Sequence, residues 1–276
     1  TPLLITGAGG VGHSNRVTSA IYRDITAWNH VFYIKDTTNS NPSSRLRLFV
    51  NGEEVTDFSA TQNPPLNDAN GNMNNTNTHR LGGNAGQATP SQLYSGYYSE
   101  VILLDGYVAL PTDFGKYNSN NVWVPIDPTT VVTAGKGTNG FWLDFADSSD
   151  LGNDVSGNNN DFTPENMGTA NSVLDRPADN AATNVGNYPT WSAINKDSNV
   201  TLSSGNTVAE QDSTASFKSV FATQVVPSTG KWVWEIKQTV SSFVGDGYAT
   251  TGIASTDVAP SIGRSGSGTI TFDYQS

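Results

Sequence analysis

The stretch RLRLFV-NG-EEVTDF (45–58) constrains this chain more than any other. Leu46, Leu48 and Val50 alternate with Arg45, Arg47 and Phe49, the period of two of a strand with one apolar side. Asn51 and Gly52 stand where a two-residue turn would reverse the chain, because both reach positive φ at little cost. This reads as a β-hairpin, and the same grammar recurs along the chain. WNHVFYIKD (28–36) is a dense β-branched and aromatic run, and SEVILLDGYVAL (99–110) is a strand whose apolar run ends at Asp105-Gly106. GFWLDF opens another strand at Gly140, and NVTLSSGNTVAEQ (199–211) folds two short strands about Gly205-Asn206. In GKWVWEIKQTVS (230–241), Trp232, Trp234 and Ile236 alternate with Val233, Glu235 and Lys237, which predicts a half-buried strand. PTDFGKY (111–117) offers one helical turn at most, and 63–79 is a loop by composition. Short strands at regular spacing with turn residues between them predict an all-β fold of antiparallel sandwiches.

One motif argues otherwise. LLITGAGGVG (3–12) sets Gly7, Gly9 and Gly12 at the spacing of a dinucleotide-binding loop after an apolar strand. Val17, Ala20, Ile21 and Ile25 follow at helix-like spacing, and Asp24 stands where a ribose contact would be. The rest of the chain supplies no crossover helices, and a parallel sheet cannot be wired without them. The candidate helix is also rich in residues that suit a strand equally well. A glycine loop between strands is the preferred reading, with no cofactor.

Other chemistry lacks a carrier. His13, His30 and His79 stand apart with no HxH or HExxH companion, and no GxSxG elbow occurs. Glu53 and Glu54 point to opposite faces of the hairpin, and Glu100, Glu165, Glu210 and Glu235 are isolated, so no carboxylate pair for glycoside hydrolysis is visible. Asp68, Asn70 and Asn72 begin like a calcium loop, but His79 stands where the bidentate Glu belongs. Asp144, Asp147, Asp150 and Asp154 read as turn builders rather than metal ligands. The expectation is a non-enzyme without metal or cofactor.

Composition narrows the partners. The net charge is −11 with only 14 Lys and Arg, too few to displace counterions from nucleic acid or to dock on anionic lipid. No run approaches the ~18 apolar residues of a membrane span, and the first residues lack the basic region of a signal peptide. With no cysteine there is no disulfide and no thiolate. Charged residues make up 14% of the chain, and Asn, Ser, Thr and Gly supply the remaining polarity. Such a surface suits solubility in salty external water, or contact with neutral sugars.

Several segments then add up to a resemblance. AWNHVFYIKDTTNSNPSSRLRLFVNGEEVTDF, NTNTHRLG and YYSEVILLDGYVALPTDFGKY resemble the second half of a laminin-G/concanavalin-A-like jelly roll. GTNGFWLDFADSSDLGNDVSGNNNDFTPENM, DRPADNAAT and VTLSSGNTV are similar to a segment of bacteriophage tail-fibre and virion-surface proteins. TGKWVWEIKQ and TTGIAS resemble the start of a SPRY (B30.2-like) sandwich. The resemblance implies a jelly roll over 1–117, a connector over 118–140 and a SPRY-like sandwich over 141–276. The W-H-V element stands past the middle of such a jelly roll and the SPRY-like part stops near its midpoint, so both domains are expected to be incomplete here. The implied setting is a virion surface or tail fibre. The implied function is recognition of host cell-surface glycan or protein, with other virion proteins and a homotrimer as partners and no membrane insertion. A self-assembling fibre or capsid-decoration module, and a secreted bacterial carbohydrate-binding protein, are the alternatives. Candidate contact residues are Asp68, Asn70, Asn72 and Asn74 in the amide-rich loop, with Tyr97 and Tyr98.

Overall fold

The computed structural model describes residues 2–6, 14–22, 24, 27–68, 78–83, 93–177, 188–211, 218–226, 229–237, 248–254 and 269–275. Within them the protein is all-β: small antiparallel sheets, with one short α-helix and a few single-turn 3-10 helices. The chain divides into two compact units, Thr1–Thr169 with Arg176–Gly186, and Ala170–Asp175 with Asn187–Ser276.

The first unit holds β1 (Pro2–Thr6), β2 (Asn15–Ile21), β3 (Val31–Lys35), β4 (Leu46–Val50), β5 (Glu53–Glu54) and β6 (Phe58–Gln62). After them come β7 (Val101–Leu103), β8 (Gly115–Tyr117), β9 (Trp123–Pro125), α1 (Thr129–Gly135) and β10 (Phe141–Leu143). β1 and β2 run antiparallel, with Leu4 opposite Val17 and Thr6 opposite Asn15, and β2 then pairs with β6. The helix-like spacing at Val17, Ala20 and Ile21 therefore belongs to a strand. An antiparallel partner directly after the glycines is incompatible with a dinucleotide-binding βαβ unit. The glycine loop itself and Ile25 lie outside the described residues.

The Asn-Gly hairpin forms as expected. Val50 faces Glu53 and Phe49 faces Glu54 across a two-residue turn, with Asn51 at φ +51° and Gly52 at φ +85°. Positive φ at both central residues is the turn whose twist matches that of its strands. Asn51 ties the turn to the chain before β3: its Oδ1 accepts the His30 N–H (2.8 Å), and its own N–H donates to the His30 carbonyl (2.9 Å). β3 pairs with β4 from Val31–Val50 to Lys35–Leu46, so β4 is a central strand. Leu46, Leu48 and Val50 are buried, and so is Phe49, expected on the polar side. A central strand can be covered on both faces, and Phe49 meets the Phe32 ring at 5.7 Å and the Arg47 guanidinium at 4.8 Å.

Two buried arginines brace the surrounding loops. Arg45 donates from Nε to Asn39 O (2.7 Å), from Nη1 to Pro64 O (3.1 Å) and from Nη2 to Ser40 O (3.3 Å). Arg16 reaches Asn15 O, Gln62 O, Ser43 O and Asn63 Oδ1, with its guanidinium over the Phe58 ring. Each planar fork thus satisfies carbonyls that strands leave unpaired where they break.

Residues 118–140, expected as a connector, are built into this first unit, and the division between units falls later, after Thr169. The reason is Trp123 of β9. Its indole covers Gly52 and Gly115, where any added Cβ would lie within 2.3–2.5 Å of the ring, and its Nε1–H donates to His30 Nδ1 at 3.1 Å. β8 pairs with β9, and Tyr117 packs edge-on against the Trp123 ring while its hydroxyl donates to Asn51 O. Thr- and Gly-rich composition conceals these long-range contacts. α1 buries Val131 and Val132, with Asp127 accepting from the Thr129 N–H and hydroxyl at its start.

The second unit holds β11 (Trp191–Lys196), β12 (Val200–Ser203), β13 (Val208–Gln211), β14 (Val220–Ala222), β15 (Tyr248–Ala254) and β16 (Thr269–Gln275). They pair antiparallel as β11–β14, β12–β13 and β15–β16. The expected pair of strands about Gly205-Asn206 is β12–β13, closed from Ser203 to Val208 with Ser204, Gly205 and Asn206 all at positive φ. GKWVWEIK departs from expectation: residues 231–237 form no strand and are exposed, Val233 at 97%. Among the described residues no ladder partner reaches them, so the alternation buries nothing.

Candidate functional site

The chain folds the segment 93–100 (LYSGYYSE) into a small aromatic surface. The Tyr94 N–H donates to Gly82 O (2.8 Å). The Tyr94 and Tyr98 rings then lie 4.6 Å apart at 35°. Gly96 shapes this geometry. A Cβ on Gly96 would come within 2.5 Å of the Tyr94 hydroxyl, so the ring folds over a residue that has none. Gly82, at φ +81°, passes beside the Tyr98 ring. Both rings stay open to solvent, Tyr94 at 54% and Tyr98 at 38%, next to Leu93 at 71%. The Tyr98 phenol is pushed up to about 12 by partial burial and by the neighbouring Tyr94.

The expected contact residues separate in the structure. Tyr98 belongs to this surface. Tyr97 turns away, half-buried, toward Trp28 with ring centroids 6.4 Å apart. Asp68 faces inward: its side chain is 2% exposed and pairs with Lys35 Nζ at 3.6 Å. Asn70, Asn72 and Asn74 lie outside the described residues. Tyr94 and Leu93 were not among the expected residues. The pattern that marks Tyr94 is Tyr-x-Gly-x-Tyr, in which a glycine between two tyrosines lets one ring fold back toward the other.

The acidic residues near β10 act as turn builders. Asp144 Oδ1 accepts from Ala146 N, and Asp147 Oδ1 accepts from the Ser149 N–H and hydroxyl. Asp154 gathers more: Oδ1 accepts from Trp142 N (2.8 Å) and Ser156 N (2.9 Å), and Oδ2 from Asn160 N (2.9 Å) and the Ser156 hydroxyl (3.0 Å). Burial pushes its pKa up, but these donors outweigh it and hold the carboxyl below its ordinary value. Asn158 and Asn160 donate their amides to Gly137, Thr138 and Gly140 carbonyls, closing the loop from outside.

Among the described residues Glu100 is the one acidic group with the opposite tendency. It sits at φ +56° with Oε2 accepting the Trp142 Nε1–H at 2.6 Å. Burial raises its pKa; the Trp142 bond and Arg176 lower it, Asp144 and Asp127 raise it, and the net shift is upward. Its carboxylate anchors Trp142 just beyond the tyrosines. Among the described residues no group of His, Asp and Glu is arranged to hold a metal, and no helix is long and apolar enough to cross a membrane.

No protein-family model, curated protein or solved structure matches this chain.

Proposed function

We propose that this chain is part of a non-enzymatic virion-surface or tail-fibre component that recognises host cell-surface glycan or protein, its two units being a concanavalin-A-like jelly roll followed by a SPRY-like sandwich. The observation that carries the reading is the Tyr94–Tyr98 pair, held in a fixed geometry yet open to solvent. Tyrosines on rigid supports are favoured in recognition surfaces because they offer a large contact area with few torsions to freeze. A solvent-exposed ring pair contributes little to folding, so its position is best explained by something that covers it. The acidic net charge of −11 directs the reading away from nucleic acid.

A second reading, a self-assembling fibre or capsid-decoration module, draws on the exposed run Tyr107, Val108 and Leu110 at 47%, 56% and 57%. One experiment separates the two. The purified chain is tested for binding to whole cells and a glycan array while its mass in solution is measured. Saturable binding to a surface glycan or protein supports recognition. A stable assembly that binds no cell and no glycan favours the structural module.

A further inference from the structure

We propose that His30 and Trp123 form a proton-operated latch: neutral His30 holds the β8–β9 arm on the Asn51-Gly52 turn, and protonation of His30 unseats Trp123 and loosens the arm. The device is separate from the tyrosine surface and does not depend on what that surface meets.

The first argument is the donor inventory. The one polar atom of the Trp123 indole, Nε1, can only donate, and it donates to His30 Nδ1 at 3.1 Å. That bond needs a lone pair on the imidazole nitrogen. An imidazolium carries N–H on both nitrogens, so neither a tautomer change nor a ring flip restores an acceptor. Two N–H groups would then face each other, one of them charged. The bond runs along the indole N–H, with the rings near-parallel at 10° and their centroids 5.9 Å apart, so the imidazole meets the positive edge of the indole rather than its negative face. The Phe32 and Phe114 centroids lie 6.3 and 6.4 Å from that of His30, beyond a good cation–π contact. Burial also disfavours the charged ring. A state in which the ring is hydrated binds the proton more tightly, and acid therefore favours it.

The second argument is that the arm can loosen as a unit. β8 and β9 pair with each other, and Asn118 closes their turn: its N–H donates to Val122 O, and its Oδ1 accepts from the Asn120 and Val122 N–H groups. The Ile126 N–H donates to Phe114 O beyond them. None of these bonds involves the Asn51-Gly52 turn. What joins arm to turn is the indole seated over Gly52, its bond to His30, and the Tyr117 hydroxyl, 2.9 Å from Asn51 O and 3.0 Å from Glu53 Oε1. The other charged groups on the elements around His30 are engaged elsewhere or exposed. Arg47 pairs with Glu54, Lys35 pairs with Asp68, Asp113 Oδ2 accepts the Leu110 N–H, and Lys116 of β8 is exposed. The Tyr33 and Tyr117 phenols are held above their ordinary value, outside the range in which an imidazole titrates.

The test follows the full 276-residue chain by NMR from about pH 7.5 to about pH 4.5. The His30 ring reports its own protonation and the Trp123 Nε1–H reports the bond. The α-protons of Gly52 and Gly115, which lie against the indole, report its seat. These signals should change together, with one midpoint below about 6.5, while those of β3 and β4 stay in place. Protection of the Trp123 Nε1–H from solvent exchange should fall by about tenfold or more. His30→Gln supplies an acceptor that never becomes charged, and should hold the Gly52 and Gly115 signals at their neutral-pH positions throughout. Trp123→Phe keeps an aromatic but removes the donor, and by reciprocity the His30 midpoint should rise by about one unit. Near-ultraviolet circular dichroism verifies that each variant is folded; if either is not, the titration of the unaltered chain decides alone. Gly52 and Gly115 signals that hold while His30 titrates would overturn the latch. So would a His30 ring still neutral at about pH 4.5, an unmoved midpoint in folded Trp123→Phe, or the same change in His30→Gln. Loss of the β3 and β4 signals in the same transition would mean acid unfolding and would overturn it as well.

Discussion

The β4 hairpin and the segment 231–237 carry the same message in sequence and meet different fates. Leu46, Leu48 and Val50 alternate as Trp232, Trp234 and Ile236 do. In β4 those side chains are at most 8% exposed, whereas the apolar positions of 231–237 are 42% exposed or more. The difference lies in what the neighbouring chain delivers. The Asn51-Gly52 turn places β5 on one edge of β4, and the Asn51 bonds to His30 bring β3 to the other. Beside 231–237 the described contacts are local, such as the Trp232 Nε1–H to Thr229 O at 2.8 Å. A period of two states that a segment can be a strand. A partner held in register makes it one.

The comparison can be broken at the turn itself. Gly52→Val would force a β-branched residue to φ +85° and drive its Cβ to within 2.3 Å of the Trp123 ring. The first unit should lose about 3–5 kcal/mol, read by denaturant unfolding with tryptophan fluorescence. A loss below about 1 kcal/mol would mean that the turn does not anchor β4. Leu48→Ala, at a fully buried position, should cost about 2–5 kcal/mol in the same assay.

Long-range ties sharpen the contrast, because the first unit has them and, among the described residues, 231–237 does not. Asp154→Asn would turn one carboxylate oxygen into an NH2 group facing another donor, and should cost about 2 kcal/mol. The carboxyl of Asp154 is held below its ordinary value, so its contribution is present above about pH 3.8 and disappears as pH falls through the lower folded value. Substitution by Asn should therefore remove part of the acid sensitivity of unfolding.

His30 acts on a gentler scale. Trp123 can only donate, so His30 Nδ1 accepts and its proton resides on Nε2; burial lowers the pKa of the ring. The unfolded chain then takes up a proton before the folded one. Stability should be complete above about pH 6.5 and decline as pH falls below it, by no more than about 1.4 kcal/mol per pH unit. A His30→Gln variant whose unfolding shows the same decline would locate the effect elsewhere. The smallest change is expected in the other region: Trp234→Ala should alter stability by about 0.5 kcal/mol or less. A loss of several kcal/mol would show that 231–237 has a ladder partner after all.

Much of the architecture was legible because it is written locally. Asn51-Gly52 and Gly205-Asn206 announce their turns through φ alone, and β-branched residues at Val17, Thr18 and Ile21 outweighed a helical spacing. The packing of Trp123 was hidden because it depends on His30, Gly52 and Gly115, residues far away in the chain. The inward turn of Asp68 depends likewise on Lys35, which nothing near Asp68 foretells. Tyr98 was visible as an exposed aromatic, but Tyr94 became meaningful only once Gly96 had oriented it. Side-chain direction in a loop is a tertiary property.

The loop 153–161 is the counterpart, in a chain with no cysteine, of a covalent staple. Reducing agents have nothing in it to cut. Its vulnerability is to water and time: hydrolysis of the Asn158 or Asn160 amide would replace a donor shared between carbonyls with a negatively charged oxygen pointing at them. Shelf life and temperature, rather than redox poise, therefore set how long this part of the molecule keeps its shape.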